Sequence, residues 1–425
     1  MPLRPLPCLL AAALAAAFAS AAAQTPAARS PAAAALPAPA AQALETISRH
    51  AADSRSDAVL IVRDGEVLLE RGSGDPAPIE LMSATKSVVA LGIGLLLADG
   101  LLDSLDAPVA TWFPEWKQGR KRGITVRMLL DHTSGLQNAP NAGAEIYPAP
   151  DVVQLALAAE LDAAPGEVFS YNNKATNLLA GVVARASGRP LDAYLGERLF
   201  APLGIRPGDW HRDDAGNPHA MAGLPLTARD AARLGQLLLD DGRLADGTRL
   251  LPEGFVEALW RPGPRSAQVG LLWWRVPAWQ RLSLRADAAE RLAAHGVPAD
   301  VAQALLGLAG RSFDDPAQAL HAALGDDWQA RYGREVMERG LTRRDLFDEE
   351  MGPVVAYAAN GYLGQHIVVL PGKRLVAVRQ IRSREDHRSP QDDYAAFPRE
   401  AIALAEALPD AGAPSSGAPP RDAVP

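Results

Sequence analysis

The chain has 425 residues, of which 48% are hydrophobic and 22% are charged, so it can form a large globular core. Its formal net charge of -8 argues against a polyanionic partner, and no nucleic-acid binding is predicted. The single cysteine, Cys8, excludes a disulfide framework.

The first 23 residues have the pattern of a secretion signal. Arg4 precedes an apolar run from Leu9 to Phe18, and small residues at 21–23 precede Gln24. Residues 1–23 are therefore predicted to be a signal peptide, and the apolar run is too short and too rich in alanine for a membrane span. A periplasmic or secreted protein with no stable membrane anchor after signal cleavage is expected.

The remaining chain is predicted to be one domain between two low-complexity segments. Residues 24–43 are rich in Ala and Pro and predict a linker, and residues 409–425 predict a disordered tail. Within the domain, 44–408, an amphipathic helix begins near Leu44, and two apolar runs around Asp64-Gly65 predict a hairpin over 58–71. A second pair of strands is predicted at 366–370 and 374–380.

Strands at both chain ends with helical sequence between them predict an α+β fold, an α/β-type sandwich. Its antiparallel sheet would be assembled from both ends of the chain and flanked by helices. Residues 83–99 are apolar on nearly every side, which predicts a helix buried all round. Residues of about 281–350 predict a mostly helical subdomain inserted before the last strands. Further helices are predicted at 151–161, 173–187, 191–199, 228–239 and 252–259.

Ser83 and Lys86 begin the buried helix and lie three residues apart, which places both side chains on one face. A serine hydroxyl needs a base before it can act as a nucleophile, and a lysine serves as that base when burial lowers its pKa. Only five of the 42 basic Lys and Arg residues are lysines, so a lysine at this position favours a removable proton. The alternative for this pair is an N-cap serine beside a lysine that reaches solvent.

A second candidate segment is Phe169-Ser170-Tyr171-Asn172-Asn173. Tyr171 and Asn173 project to the same side of an extended chain. Tyr171 could transfer a proton between nucleophile and leaving group, and the Asn173 amide could contact Lys86 and a substrate carbonyl. A buried tyrosine followed by a helix N-cap asparagine is the alternative.

A third candidate segment, residues 359–365, is rich in glycine and leads into a strand. Gly361 would let a substrate approach the backbone, and the N–H groups of Ser83 and Tyr362 could hold an oxyanion. Asn360, Gly361, Tyr362 and Gln365 are the substrate-binding candidates here. Taken alone, the segment is more typical of a glycine-rich turn before an edge strand than of a substrate-binding strand.

The three segments, in this order and at these separations, resemble the serine β-lactamase and penicillin-binding-protein family. This family includes class C β-lactamases, D-Ala-D-Ala carboxypeptidases, 6-aminohexanoate-dimer hydrolases and related esterases. Intervening segments share the resemblance, which covers roughly 44–275 and 352–385: 124–136 (ITVRMLLDHTSGL), 165–173, 223–242 and 269–274 (VGLLWW).

The resemblance implies a β-lactamase/transpeptidase-like fold, with Ser83 as the acylated nucleophile and Lys86 and Tyr171 as the proton-transfer pair. It also implies that Asn173 contacts the substrate. The third segment departs from the family's Lys-Thr-Gly or His-Thr-Gly, because Ala359-Asn360-Gly361 stands there without a cationic side chain. This departure is similar to the 6-aminohexanoate-dimer hydrolase and esterase branch and favours simple amides or esters as substrates.

The sequence therefore predicts an exported serine hydrolase of small-molecule or short-peptide amides or esters. A slow penicillin-binding-type protein that recognises peptidoglycan or a protein partner remains open, as does a true β-lactamase or D-Ala-D-Ala carboxypeptidase. His132 suggests a Ser-His-Asp triad, but no Gly-x-Ser-x-Gly elbow accompanies it, and the family resemblance assigns it to a structural turn. No cofactor or metal is implied, since the eight histidines lack a ligand spacing.

Overall fold

Both ends of the chain contribute strands to one antiparallel sheet in the computed structural model, which describes residues 36–72, 77–138, 141–314 and 316–410. The sheet has six strands in the order β2-β1-β11-β10-β9-β5. This arrangement is the predicted sheet built from the two chain ends. The strands are β1 (Ala58–Arg63), β2 (Glu66–Gly72), β5 (Trp274–Pro277), β9 (Val354–Gly361), β10 (Gln365–Leu370) and β11 (Leu375–Gln380).

A short pair of strands, β3 (Ile79–Glu80) and β4 (Pro225–Leu226), lies apart from the main sheet and leads into the buried helix. The helices that pack on the main sheet or on one another are α1 (Ala38–Asp53), α2 (Thr85–Ala98), α3 (Val126–Leu130), α4 (Ala142–Glu145), α5 (Val152–Ala158), α6 (Asn173–Ser187), α7 (Leu191–Leu195), α8 (Ala228–Leu239), α9 (Phe255–Trp260) and α15 (Phe397–Ala407).

The strands of the sheet are apolar on both faces, so both faces are covered by helices. The sheet is therefore the middle layer of a sandwich. In β11, Leu375 and Ala377 pack against α1 and α15, whereas Val376 and Val378 belong to the larger core around α2, α6 and α8. This alternation follows from the two-residue period of a strand. The predicted α+β sandwich is confirmed.

The hairpins form where the sequence predicts them. Asp64 and Gly65 both have positive φ values, 50° and 82°, as a tight two-residue turn between β1 and β2 requires. β1 then pairs with β11, with Ile61 opposite Ala377. The first and last parts of the domain are therefore joined by hydrogen bonds at the centre of the sheet.

α2 is the central helix of the larger core, as its sequence predicts. Every residue from Thr85 to Leu96 is buried, and the helix ends just before Gly100. Gly94 allows a close approach, because a Cβ there would lie 2.3 Å from the Phe255 ring. A helix with no polar face must be covered on all sides, and α6, α7, α9 and the sheet do so.

The inserted segment is mostly helical, as predicted, and it also contains a small sheet that the sequence does not predict. It contains a three-stranded sheet in the order β7-β6-β8 and its own hydrophobic core. β6 and β8 pair across more than sixty residues of chain, and such long-range pairing leaves little local signal in the acidic sequence of β8. Its elements are β6 (Gln280–Leu284), α10 (Ala288–Ala294), α11 (Ala299–Leu306), β7 (Ser312–Phe313), α12 (Pro316–Leu324), α13 (Trp328–Glu335), α14 (Arg343–Leu346) and β8 (Phe347–Met351).

The ordered domain begins earlier than predicted. α1 starts at Ala38, inside the segment 24–43 that was expected to be a linker, because Pro37 and Pro39 fit the start of a helix and Ala40 is buried against α15. The predicted signal peptide and residues 411–425 of the predicted tail lie outside the described residues. Among the helices that are described, none combines the length and the apolar character needed to cross a membrane.

Candidate active site

Ser83 and Lys86 lie together where the chain enters α2. Ser83 occupies the middle of a 3₁₀ turn, Met82–Ala84, and Lys86 lies in the first turn of the α-helix. Lys86 Nζ is 3.1 Å from Ser83 Oγ. Met82 has a φ of 49°, a strained value for a residue with a side chain. The turn therefore holds the serine hydroxyl against the amine in a backbone conformation that the surrounding core must maintain.

Burial sets the proton affinity of Lys86. Its side chain is only 3% exposed, and no carboxylate pairs with it in the described structure. Burial alone lowers the pKa of Lys86 from 10.5 to about 7. The amine is thus neutral in a large fraction of molecules at neutral pH, and a neutral amine can accept the proton of a serine hydroxyl.

A backbone carbonyl fixes the other side of the amine. Lys86 Nζ donates a hydrogen bond to the Met221 carbonyl at 2.7 Å, and the Met221 N–H donates to Asn177 Oδ1 at 2.9 Å. Asn177 lies on α6 and is fully buried. Neither Asn177 nor Met221 is predicted from the sequence, because the contact joins two segments far apart in the chain; the only local signal is a polar asparagine on an apolar helix.

Tyr171 completes a cluster of three groups around the serine. Its hydroxyl is hydrogen-bonded to the Ser83 side chain, and its ring centroid is 5.0 Å from Lys86 Nζ. Burial raises the pKa of Tyr171, which the hydrogen bond with Ser83 partly opposes. The hydroxyl therefore keeps its proton at neutral pH and can donate it to a group that leaves from the carbonyl bound at Ser83.

His132 supports the tyrosine loop instead of forming a triad with Ser83. Its Nδ1 accepts a hydrogen bond from the Asn172 N–H at 3.2 Å, and its ring lies 4.7 Å from that of Tyr171. Burial, and to a smaller extent the charge of Lys86, lower the pKa of His132 to about 3. The ring is neutral at physiological pH and holds the backbone that carries Tyr171.

Asn138, which the sequence analysis also missed, braces the same loop. Its amide donates to the Tyr171 carbonyl at 3.0 Å and accepts from the Asn173 N–H at 3.1 Å. Asn172 acts as the N-cap of α6, accepting from the Ala175 N–H at 2.8 Å. The capping alternative weighed for the asparagines thus describes Asn172, while Asn173 Oδ1 is buried and has no hydrogen-bond partner within the described part of the chain.

The third segment reaches the nucleophile through its backbone. Gly361 ends β9 and packs against the turn before Ser83, since a Cβ on Gly361 would lie 2.3 Å from the Leu81 carbonyl oxygen. Tyr362 follows directly, and its side chain is 74% exposed. Only glycine permits this approach of β9, which brings the backbone of residues 361–362 beside the serine turn.

The Asn360 side chain points to the face of the sheet opposite Ser83, which corrects its assignment to substrate binding, whereas Gln365 lies opposite Gly361 and on the same face as Ile367. Asn360 Oδ1 is 2.9 Å from His366 Nδ1, and the His366 ring stacks on Phe397 of α15, on the opposite face of the sheet. Gln365 is buried and bonds both backbone groups of Ile381. The alternation of β9 therefore makes Asn360 structural, and the Gln365 amide is occupied by the Ile381 backbone, which corrects its assignment to substrate binding.

The site offers an acid–base pair and a nucleophile but no metal ligands. Across the described ranges, no group of three or more His, Cys, Asp or Glu residues is placed to hold a metal ion. Ser83, Lys86 and Tyr171 together can deprotonate a hydroxyl, attack a carbonyl and protonate a leaving group. This chemistry is acyl transfer.

The comparisons with known proteins agree with this geometry. The β-lactamase family model matches residues 41–397. The chain is 30% identical over 246 residues to 6-aminohexanoate-dimer hydrolase from Paenarthrobacter ureafaciens, covering 53% of this chain and 62% of the relative. It is 32% identical over 177 residues to esterase EstB from Burkholderia gladioli, covering 35% and 45%. The matched regions thus span about half of each curated relative.

A solved structure extends the likeness of the fold to most of the chain. The structure described as a putative 6-aminohexanoate-dimer hydrolase from Bacillus anthracis superposes with a TM-score of 0.58 at 20% identity. The superposition covers 85% of this chain and 82% of that one. It establishes the β-lactamase/transpeptidase-like fold, including the layers that position Ser83 and Lys86.

Proposed function

Because the chain belongs to the β-lactamase family, we propose that it is a serine hydrolase that cleaves an amide or ester through an acyl-enzyme on Ser83. The observation that carries the proposal is the 3.1 Å approach of Lys86 Nζ to Ser83 Oγ, combined with a burial-lowered Lys86 pKa of about 7. A lysine in this state is a base matched to neutral pH.

In the first half-reaction, neutral Lys86 takes the proton of Ser83 as the serine oxygen attacks the substrate carbonyl. Tyr171 gives its proton to the leaving amine or alkoxide and receives in turn the proton that Lys86 took from Ser83. Backbone N–H groups of Ser83 and Tyr362 stabilise the oxyanion. In the second half-reaction, water attacks the acyl carbon, the same groups take its proton, and the acid is released with Ser83 restored.

The substrate class follows from what lies opposite the serine. Ala359 and Gly361 face the core that contains α2, and neither provides a cation where a β-lactam or peptide carboxylate would bind in the Lys-Thr-Gly relatives. Two curated relatives are named 6-aminohexanoate-dimer hydrolase and esterase EstB. Both points support linear amides or simple esters. Export to the periplasm or medium is part of the proposal and depends on the signal-like residues 1–23.

The proposal is tested with wild-type, Ser83→Ala and Ser312→Ala proteins, the last removing an exposed serine of the insertion as a matched control. A fluorophosphonate probe should label the wild type and Ser312→Ala but not Ser83→Ala, and p-nitrophenyl butyrate hydrolysis should fall by at least about 1000-fold only in Ser83→Ala. Wild-type kcat/KM should decrease as the pH falls through about 7, because protonated Lys86 cannot accept a proton.

Full activity or labelling of Ser83→Ala would refute the acyl-enzyme. Stable acylation of Ser83 by a labelled penicillin, without turnover of any ester or linear amide, would instead favour a slow penicillin-binding protein. Fast hydrolysis of the penicillin would establish a true β-lactamase.

A further inference from the structure

A cavity of about 540 Å³ lies where the insertion meets the main domain. The main domain supplies Phe169 and Trp274 to its wall, and the insertion supplies the segment Thr342–Arg344. The cavity is therefore formed jointly by the main domain and the insertion, and no single family motif contains all of its residues.

The cavity is one aromatic ring away from the catalytic cluster. The Trp274 ring stacks on the Tyr171 ring, with centroids 6.3 Å apart and planes 26° from parallel. Phe169 precedes Tyr171 by two residues and contacts the His132 ring edge-to-face at 5.9 Å. A leaving group that takes its proton from Tyr171 would therefore lie on the side of the site that faces this cavity. The rings of Trp274 and Phe169 would form an apolar wall beside it.

Positive charge dominates the polar part of the lining. Arg265, Arg343 and Arg344 line the cavity, against one carboxylate, Glu167. Arg265 uses its Nε to donate to the Gly166 carbonyl at 2.8 Å, which leaves its terminal N–H groups for a ligand. The imbalance favours an anion.

The two insertion arginines lie on α14, a short helix whose start is capped. The capping box of α14 ties Thr342 to Asp345, so the Asp345 carboxylate is already bonded to the helix N-terminus. Arg343 lies 3.7 Å from Glu349, a carboxylate that also accepts from Gln268 at 2.6 Å. Exposed Arg344, on the same short helix, has no ion pair within the described ranges.

We infer that this cavity binds a carboxylate carried by the leaving group of the substrate, with Arg344 and Arg343 as its cations and Trp274 as the apolar wall. Planar guanidinium groups match carboxylates bidentately, which a lysine cannot do. The insertion would thereby supply, from another direction, the anion recognition that the third segment lacks. The inference rests on the proposed function, because it assigns the substrate class of the same site.

Two isosteric esters test the inference: 3-butanoyloxybenzoate, which releases an anionic phenol, and 3-butanoyloxybenzamide, which releases a neutral one. The wild type should prefer the benzoate, measured as the ratio of the two kcat/KM values. This ratio should fall about tenfold in Arg343→Gln/Arg344→Gln and further in Arg344→Glu, mainly through the KM of the benzoate. The preference should also shrink toward about 1 M salt, where the Debye length is about 3 Å.

Arg334→Gln is the matched control, because Arg334 is an exposed arginine of α13 outside the cavity lining and should leave the ratio unchanged. A wild-type ratio near one, or equal ratios in all variants while both esters are hydrolysed through Ser83, would overturn the inference and leave the proposed function intact. Calorimetric titration of 3-hydroxybenzoate into Ser83→Ala protein gives a readout without turnover. Binding should weaken at least about tenfold when Arg344→Glu is added, and no binding to Ser83→Ala would overturn the inference.

Discussion

Replacing the buried base should make the protein more stable at low pH and less stable at high pH. In Lys86→Met, a side chain of similar length and shape fills the site without a charge. The unfolded chain binds a proton at Lys86 up to a pKa of 10.5, whereas the folded state releases it at about 7. Folding therefore opposes protonation of Lys86. Below pH 7 the free energy of unfolding of the wild type is reduced by the full cost of burying the charged amine.

The magnitude follows from the two pKa values, which differ by roughly 3.5, at about 1.4 kcal/mol for each pKa unit. The penalty is therefore on the order of 5 kcal/mol at pH 6, shrinks to about 2 kcal/mol near pH 9 and vanishes above pH 10.5. Methionine leaves the Met221 carbonyl without the donor it has at 2.7 Å, which costs about 1–3 kcal/mol at every pH. Lys86→Met should thus be more stable by about 2–4 kcal/mol at pH 6 and should lose this advantage near pH 9.

Urea unfolding followed by circular dichroism between pH 6 and pH 10.5 measures the difference directly. Lys174→Met is the matched control, because Lys174 is also buried but forms a 2.5 Å ion pair with Glu145. Its replacement removes an ion pair and relieves no unpaired buried charge, so no gain in stability at pH 6 is expected. A Lys86→Met protein that is less stable than the wild type at pH 6, or a difference that does not change with pH, would refute the burial argument.

Two further substitutions probe the backbone around the site. Gly361→Ala places a Cβ 2.3 Å from the Leu81 carbonyl oxygen and should lower kcat on p-nitrophenyl butyrate by at least about 100-fold, because misplacement of about 1 Å has that effect. Gly372→Ala, where no atom lies within 4 Å of the added Cβ, should retain activity, and equal losses in both variants would contradict the contact. Asn138→Ala removes two hydrogen bonds from the Tyr171 loop and should reduce kcat more than KM while lowering stability by about 1–3 kcal/mol, as read by thermal unfolding; an unchanged kcat would exclude its positioning role.

The sequence alone predicted the features whose causes are local. α6 runs from Asn173 to Ser187, as predicted, because an N-cap asparagine precedes it and Gly188 ends it in the left-handed conformation. The β1–β2 hairpin follows from the turn at Asp64-Gly65. Ser83 and Lys86 meet because they are three residues apart at the start of one helix, a distance that helix geometry fixes.

Tertiary structure decided the features that depend on pairing between distant segments. Asn360 faces away from Ser83 because the register of β9 against β10 assigns each side chain to a face of the sheet, and register is set by packing across the whole sheet. The Gln365 amide is occupied by the backbone of Ile381, which follows β11. The acidic β8 becomes a strand because it pairs with β6. The Met221 carbonyl, held by Asn177, reaches Lys86 from a segment far away in the chain.

The pKa of Lys86 and the lining of the cationic cavity also depend on the tertiary structure. A motif can place a lysine beside a serine, but only the enclosing core removes enough water to lower the Lys86 pKa to about 7. The cationic cavity needs Trp274 from one part of the chain and Arg344 from another. The sequence thus determined which groups could react, and the folded structure decided their charge, their orientation and the surface presented to a substrate, because desolvation and side-chain direction are properties of the packed molecule.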